Sequence, residues 1–140
     1  MIYALDTNTV TFILKEDEGV KSNADIALDK GHKIVLPRIV DYEVQRGLLA
    51  KSMDKKLREY LIFRRTISIG VISEKVWQKA AHVYAALIQK GKPIGDGDTI
   101  IAAFCLVNDC VLVTNDTDFT QVDGLQLVNW KPPFFHLNSP

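Results

Sequence analysis

Four acidic side chains, Asp6, Glu43, Asp98 and Asp116, stand where strand ends or helix faces can gather them, and they set the chemistry open to this chain. Asp6 closes the short apolar run Ile2-Tyr3-Ala4-Leu5 and is followed by the small polar residues Thr7, Asn8 and Thr9. In an open α/β sheet, ligands gather outside the carboxyl ends of the strands, so Asp6 lies at the floor of any such site. Asp116 follows a second apolar run, Val111-Leu112-Val113, in the same way. Glu43 falls four residues after Ile39 and four before Gly47, facing inward with an apolar helical stripe. Asp98 follows the glycine-bracketed Gly95-Asp96-Gly97 at the start of a helix.

Each acid has an ordinary structural use. Asp6 and Asp98 could cap helices, Asp116 could make an Asx-turn, and Glu43 could pair with a lysine or arginine. What favours chemistry is their coincidence on one rim. Bare carboxylates ~4 Å apart repel by roughly 4 kcal/mol per pair at an effective dielectric near 20. Such a group persists ionised around a positive charge, and carboxylate oxygens without His or Cys select a hard cation, Mg²⁺ or Mn²⁺. A partly hydrated ion of this kind polarises a phosphodiester and activates water, so phosphate-ester hydrolysis is the natural reaction.

The elements that position these acids can be read from periodicity. Apolar runs at 2–5, 34–36, 68–72, 111–113 and, more weakly, 126–128 read as strands. Helical stretches fall between them: 7–14, 18–30 with Gly31 as its stop, 38–50 with Pro37 as first residue, a basic one at 53–65, 74–90 between Ser73 and Gly91, and one after the loop 92–97. In the helix after Ser73, Val76, Trp77, Ala80, Ala81, Tyr84, Leu87 and Ile88 are expected to face inward. Strands separated by helices predict parallel pairing with right-handed crossovers. The expected fold is α/β: a three-layer α/β/α domain around a central, mainly parallel sheet of four to five strands. One domain is expected over residues 1–140, with a core to 130 and a tail at 131–140.

Composition narrows the field. Seventeen basic residues balance seventeen acidic ones, so any phosphate-binding surface is a local patch. Residues 46–65 provide the best one, with Arg46, Lys51, Lys55, Lys56, Arg58, Arg64 and Arg65 against Asp54 and Glu59. The alternative is a solvated helix face. Cys105 and Cys110 match neither a redox pair nor a zinc pattern and are expected as buried free thiols. No signal peptide or membrane span is evident, which points to a cytoplasmic protein. His32, His82 and His136 are scattered, and no GxSxG, P-loop or HExxH motif occurs.

Four segments together carry a resemblance: Leu5-Asp6-Thr7-Asn8, Glu43-Val44-Gln45-Arg46-Gly47, the stretch 93–103 containing Gly95-Asp96-Gly97-Asp98, and Leu112 through Phe119. In this order and spacing, over residues 1 to about 130, the chain resembles PIN-domain ribonucleases, and more narrowly VapC-type toxins of toxin–antitoxin pairs. The resemblance implies a PIN-like fold and Mg²⁺- or Mn²⁺-dependent endonucleolytic cleavage of RNA. It implies that Asp6, Glu43, Asp98 and Asp116 are the catalytic, metal-holding quartet, with Asp96 and Asp118 as alternative ligands. Asn8 and Thr114 are expected to hold the carboxylates by hydrogen bonds, and Arg46, Lys51, Lys55, Lys56 and Arg58 to meet RNA. A cognate antitoxin and a second copy of the chain are the implied protein partners.

Two other readings compete. A haloacid dehalogenase-like phosphatase also places Asp after its first strand, but its general acid would fall at Asn8, which cannot serve. A non-catalytic module of the same fold is the other, and the presence of all four acids gives it no support. Phe134 and Phe135 are expected to pack on the domain.

Overall fold

The computed structural model describes residues 1–131; the packing expected of Phe134 and Phe135, and His136, lie outside the described residues. Five strands form one wholly parallel sheet: β1 (Ile2–Leu5), β2 (Lys33–Pro37), β3 (Ser68–Gly70), β4 (Val111–Val113) and β5 (Leu127–Val128). Their spatial order is β3-β2-β1-β4-β5. The chain therefore moves outward from β1 to β3, then crosses back to β4 on the other side of β1. With right-handed crossovers, that reversal puts the early helices on one face of the sheet and the later ones on the other. It also makes the carboxyl ends of β1 and β4 the topological switch point, where such sheets bind ligands. Register is fixed there by the pairs Ala4 with Leu112 and Leu5 with Val113.

The α-helices among the described residues are α1 (Thr7–Leu14), α2 (Glu18–Asp29), α3 (Arg38–Ala50), α4 (Asp54–Arg64), α5 (Glu74–Lys90) and α6 (Asp96–Asn108). Asp6, Asp17 and Ser73 cap α1, α2 and α5 by accepting from the backbone N–H three residues on. Gly91, at φ +69°, ends α5 in the left-handed conformation that glycine adopts without steric cost. Several expected boundaries move by a residue or two, and three of the changes bear on the argument. Pro37 is the last residue of β2 and precedes α3 rather than opening it. The third strand stops at Gly70, not residue 72. Helix α6 begins at Asp96 instead of Asp98, because Gly95 accepts at the first turn through its carbonyl, from the Thr99 amide and hydroxyl.

The core fills the space around the sheet with Ala4, Leu5, Leu36, Val40, Leu112 and Val113, all fully buried. Helix α6 is the most enclosed, burying Ile101, Ala102, Ala103, Phe104 and Cys105. Phe104 lies over Gly70, where a Cβ would sit 2.3 Å from its ring, so β3 needs glycine at that point. Cys105 and Cys110 are buried free thiols, with burial pushing Cys110 up to about 11.

Helix α5 departs from expectation. Its buried stripe is Val76, Ala80, Val83 and Leu87, while Trp77, Tyr84 and Ile88 remain 49%, 50% and 47% exposed and Ala81 is exposed too. The two stripes are one residue, or about 100°, apart on the helix. Helix α6, on which α5 packs, can cover one of them. Trp77 also borders a hollow of about 610 Å³ with Ile39, Tyr42, Ile69, Val71 and Ile72.

Candidate active site

The site is built on the carboxyl ends of β1 and β4. Asp6 is buried there, with its own amide bonded to Val113 O at 3.2 Å. Its Oδ1 accepts from the Thr9 amide at 2.7 Å, and its Oδ2 accepts from the Thr114 hydroxyl. The Thr9 hydroxyl in turn donates to Val113 O at 2.8 Å, tying α1 to β4. Both oxygens of Asp6 are thus aimed by short contacts from two elements. Burial nevertheless raises its pKa above 3.8, with those hydrogen bonds opposing and the charge of Asp116 adding to the rise.

Asp116 sits two residues beyond Thr114, whose hydroxyl oxygen accepts from its amide at 3.0 Å. Its side chain accepts from the Asp118 amide at 2.9 Å and so caps the short 3₁₀ turn Thr117–Gln121. The ordinary use of this acid and its place on the rim are both real.

Glu43 reaches the same rim from the middle of α3. Its Oε1 accepts from the Thr7 hydroxyl at 2.9 Å, and Arg46 stands 3.6 Å from Oε2. Arg46 is mostly exposed and lies over the Tyr42 ring at 5.1 Å. Glu43 also presses on α6, since a Cβ at Gly97 would be 2.6 Å from Oε2.

Asp98, in the first turn of α6, is half-buried and caps nothing. Its carboxyl is pushed up to about 6, first by burial and then by the charges of Asp116, Glu43, Asp6 and Asp118. Four other acids therefore act on one carboxyl across elements that are distant in sequence. Asp96 and Asp118 are exposed. Asp118 contributes to the field at Asp98, whereas Asp96 is not among its causes.

Among the described residues, no group of three or more His, Cys, Asp or Glu side chains forms a ready-made metal cage. The acids converge without closing, as mutual repulsion dictates. The donor set still fits a hard cation: carboxylate oxygens gathered at one edge of the sheet, with hydroxyls holding two of the acids.

The supporting residues differ from those expected. Thr114 does hold Asp6, but Asn8 is exposed and bonds to none of the acids. Thr7 and Thr9 carry that work, which the alternation of small polar residues after β1 could have suggested. The basic run divides as well. Lys56 bonds to Leu14 O at 2.7 Å and pairs with Glu59, and Arg64 lies 2.9 Å from Asp41 Oδ1. Lys51, Lys55 and Arg58 are exposed.

A buried acid outside the expected set is Asp41, 4% exposed, on α3. It accepts from Tyr60 Oη at 2.6 Å, Gln45 Nε2 at 3.0 Å and Arg38 at 3.3 Å. Arg64 Nε meets it as an ion pair, out of line for a hydrogen bond. Asp41 has the partners that an isolated buried carboxylate demands.

Residues 3–125 match the family model described as PIN domain. Ribonuclease VapC2 of Rickettsia felis is 31% identical over 133 residues, spanning 93% of this chain and 98% of that protein. Ribonuclease VapC1 of Haemophilus influenzae is 24% identical over 93% of this chain and 98% of its own. In three dimensions, VapBC2 from Rickettsia felis bound to a promoter DNA fragment superposes with a TM-score of 0.86 at 28% identity. That superposition covers 93% of this chain and 99% of the other.

Proposed function

The chain belongs to the PIN-domain family, and from that premise we propose that it is a metal-dependent endoribonuclease, the toxin of a toxin–antitoxin pair. The observation that carries the proposal is Asp98. Its carboxyl, at the switch-point edge of a parallel sheet, is pushed up to about 6 by burial and four neighbouring acids. Folding stability gains nothing from such crowding. A site for a cation gains from it directly.

Asp6, Glu43, Asp98 and Asp116 are the residues that would hold Mg²⁺ or Mn²⁺. When bound, the ion supplies polarisation of the phosphodiester and a more acidic attacking water. The protein supplies aim. Thr114 and Thr9 fix both oxygens of Asp6, and Thr7 fixes one oxygen of Glu43. The exposed Lys51, Lys55 and Arg58, with Arg46 at the mouth, supply the local positive surface that draws RNA to a neutral protein. The protein partners are a cognate antitoxin and a second copy of the chain, and the uncovered face of α5 gives protein contacts a place to form. No helix among the described residues is long and apolar enough to cross a membrane.

The test is cleavage of labelled RNA. Wild type with Mn²⁺ is expected to cut, EDTA to stop it, and restored Mn²⁺ to revive it. Activity that survives EDTA treatment and exhaustive dialysis would overturn the metal dependence. Hydrolysis of p-nitrophenyl phosphate without RNA cleavage would favour the phosphatase instead.

A further inference from the structure

We propose that Thr7 is a positioning residue for Glu43: its hydroxyl holds one carboxylate oxygen, while the bare Cα of Gly97 leaves room for the other. The proposal rests on Glu43 belonging to the metal site. Helix α1 does not need the Thr7 hydroxyl. Asp6 already caps the helix by accepting from the Thr9 amide, and the Thr7 carbonyl is taken by the Thr11 hydroxyl at 3.1 Å. The Thr7 hydroxyl instead donates across 36 residues of sequence to Glu43 Oε1 at 2.9 Å.

The other carboxylate oxygen has little to hold it. Arg46 stands 3.6 Å away on a long, mostly exposed stem, a contact of small and salt-sensitive strength. Beyond it lies Gly97, where any Cβ would come within 2.6 Å of Oε2. The atom in the way is the free end of a flexible side chain, so an alanine there turns Glu43 aside rather than breaking the backbone. Thr7 and Gly97 thus act on the same carboxylate from two helices: one fixes its direction, the other vacates the space it points into. Such outer partners orient ligands, and their loss typically costs 10–100-fold in metal affinity.

The experiment is calorimetric titration of the full-length protein with Mn²⁺, comparing wild type, Thr7→Val, Thr7→Ser, Gly97→Ala and Glu43→Gln. Thermal midpoints are recorded beside each titration. Thr7→Val, which keeps the shape and loses the donor, is expected to weaken Mn²⁺ binding about tenfold at an unchanged midpoint. Thr7→Ser should stay within about twofold of wild type, and Gly97→Ala should weaken binding in the same direction. Wild-type affinity in Thr7→Val overturns the proposal, as does Thr7→Ser binding as weakly as Thr7→Val. Should Thr7→Val not fold, Gly97→Ala decides, and wild-type affinity there overturns it. Glu43→Gln separates the levels. If it binds Mn²⁺ like wild type, the metal-site reading fails; if it loses affinity while Thr7→Val does not, the positioning role alone fails.

Discussion

Asp41 and Glu43 lie two residues apart on one helix, about 200° around its axis, and their surroundings are opposites. Asp41 looks toward α4 and meets Tyr60, Gln45, Arg38 and Arg64, so its charge is spent inside the fold. Glu43 looks toward α6, and its charge, with those of Asp116 and Asp6, makes the charge of Asp98 harder to keep. Burial separates the two only by degree, with side chains 6% and 17% exposed, and does not set their roles apart. The company does. An acid among donors cements helices together, and an acid among acids awaits a cation.

The sharpest way to break this comparison is to delete one acid from each centre. Asp98→Ala is expected to lower RNA cleavage by about 10³-fold, with the circular dichroism spectrum retained and the melting point unchanged or higher. Asp41→Ala is expected to do the reverse. Removing one partner of a buried pair leaves the others uncompensated and costs about 3–5 kcal/mol, seen as an earlier denaturant midpoint. Molecules of that variant that remain folded should cut RNA at close to the wild-type rate. If Asp98→Ala unfolds the chain while Asp41→Ala leaves stability intact, the two roles belong to the opposite acids.

Much of this is legible in the residues. The acids at 6 and 116 end apolar runs, and parallel pairing places both at one edge, so their convergence follows from strand order. Glu43 is legible because it breaks an apolar stripe. Asp41 is not, because its partner Tyr60 lies on α4, nineteen residues away, and no local pattern pairs them. Asn8 shows the reverse failure: a polar residue beside Asp6 has the chemistry of a support, but α1 turns it outward and turns Thr7 and Thr9 inward. The stripe on α5 misleads for a related reason. Hydrophobicity marks what avoids water, and Trp77, Tyr84 and Ile88 avoid it no less for facing away from α6.

Acidity sharpens the contrast at the next level of effect. The folded-state value of Asp98, about 6, lies above its ordinary 3.8, so folding favours its neutral form. That contribution is full below about pH 4 and is lost as pH rises through 6. Asp6, shifted upward by burial, acts in the same direction, while Asp17, held low by hydrogen bonding to Lys131, acts in the opposite one as pH falls below about 4. EDTA-treated protein should therefore melt higher at pH 5 than at pH 7, and Asp98→Asn should shrink that difference. Saturating Mn²⁺ should reverse it, since a cation favours the ionised carboxylates. An EDTA-treated melting curve independent of pH between 5 and 7 would show that the acids do not feel one another.

The smallest expected effects lie on the basic run, where the same distinction between spent and unspent charge applies to cations. Lys56 is engaged by Leu14 O and Glu59, and Arg64 by Asp41, so their charges belong to packing. Lys51, Lys55 and Arg58 are exposed, and their charges remain open to phosphate. Reversing each of the exposed three should weaken RNA binding about twofold to fivefold. Each reversal should also reduce the salt dependence by about 0.7 in log–log slope for every phosphate that is no longer neutralised. Lys56→Ala should lower the melting point and leave that slope alone. If it flattens the salt dependence as much as Lys55→Glu does, the engaged lysine is reaching RNA as well, and the division between the two kinds of charge fails on this surface.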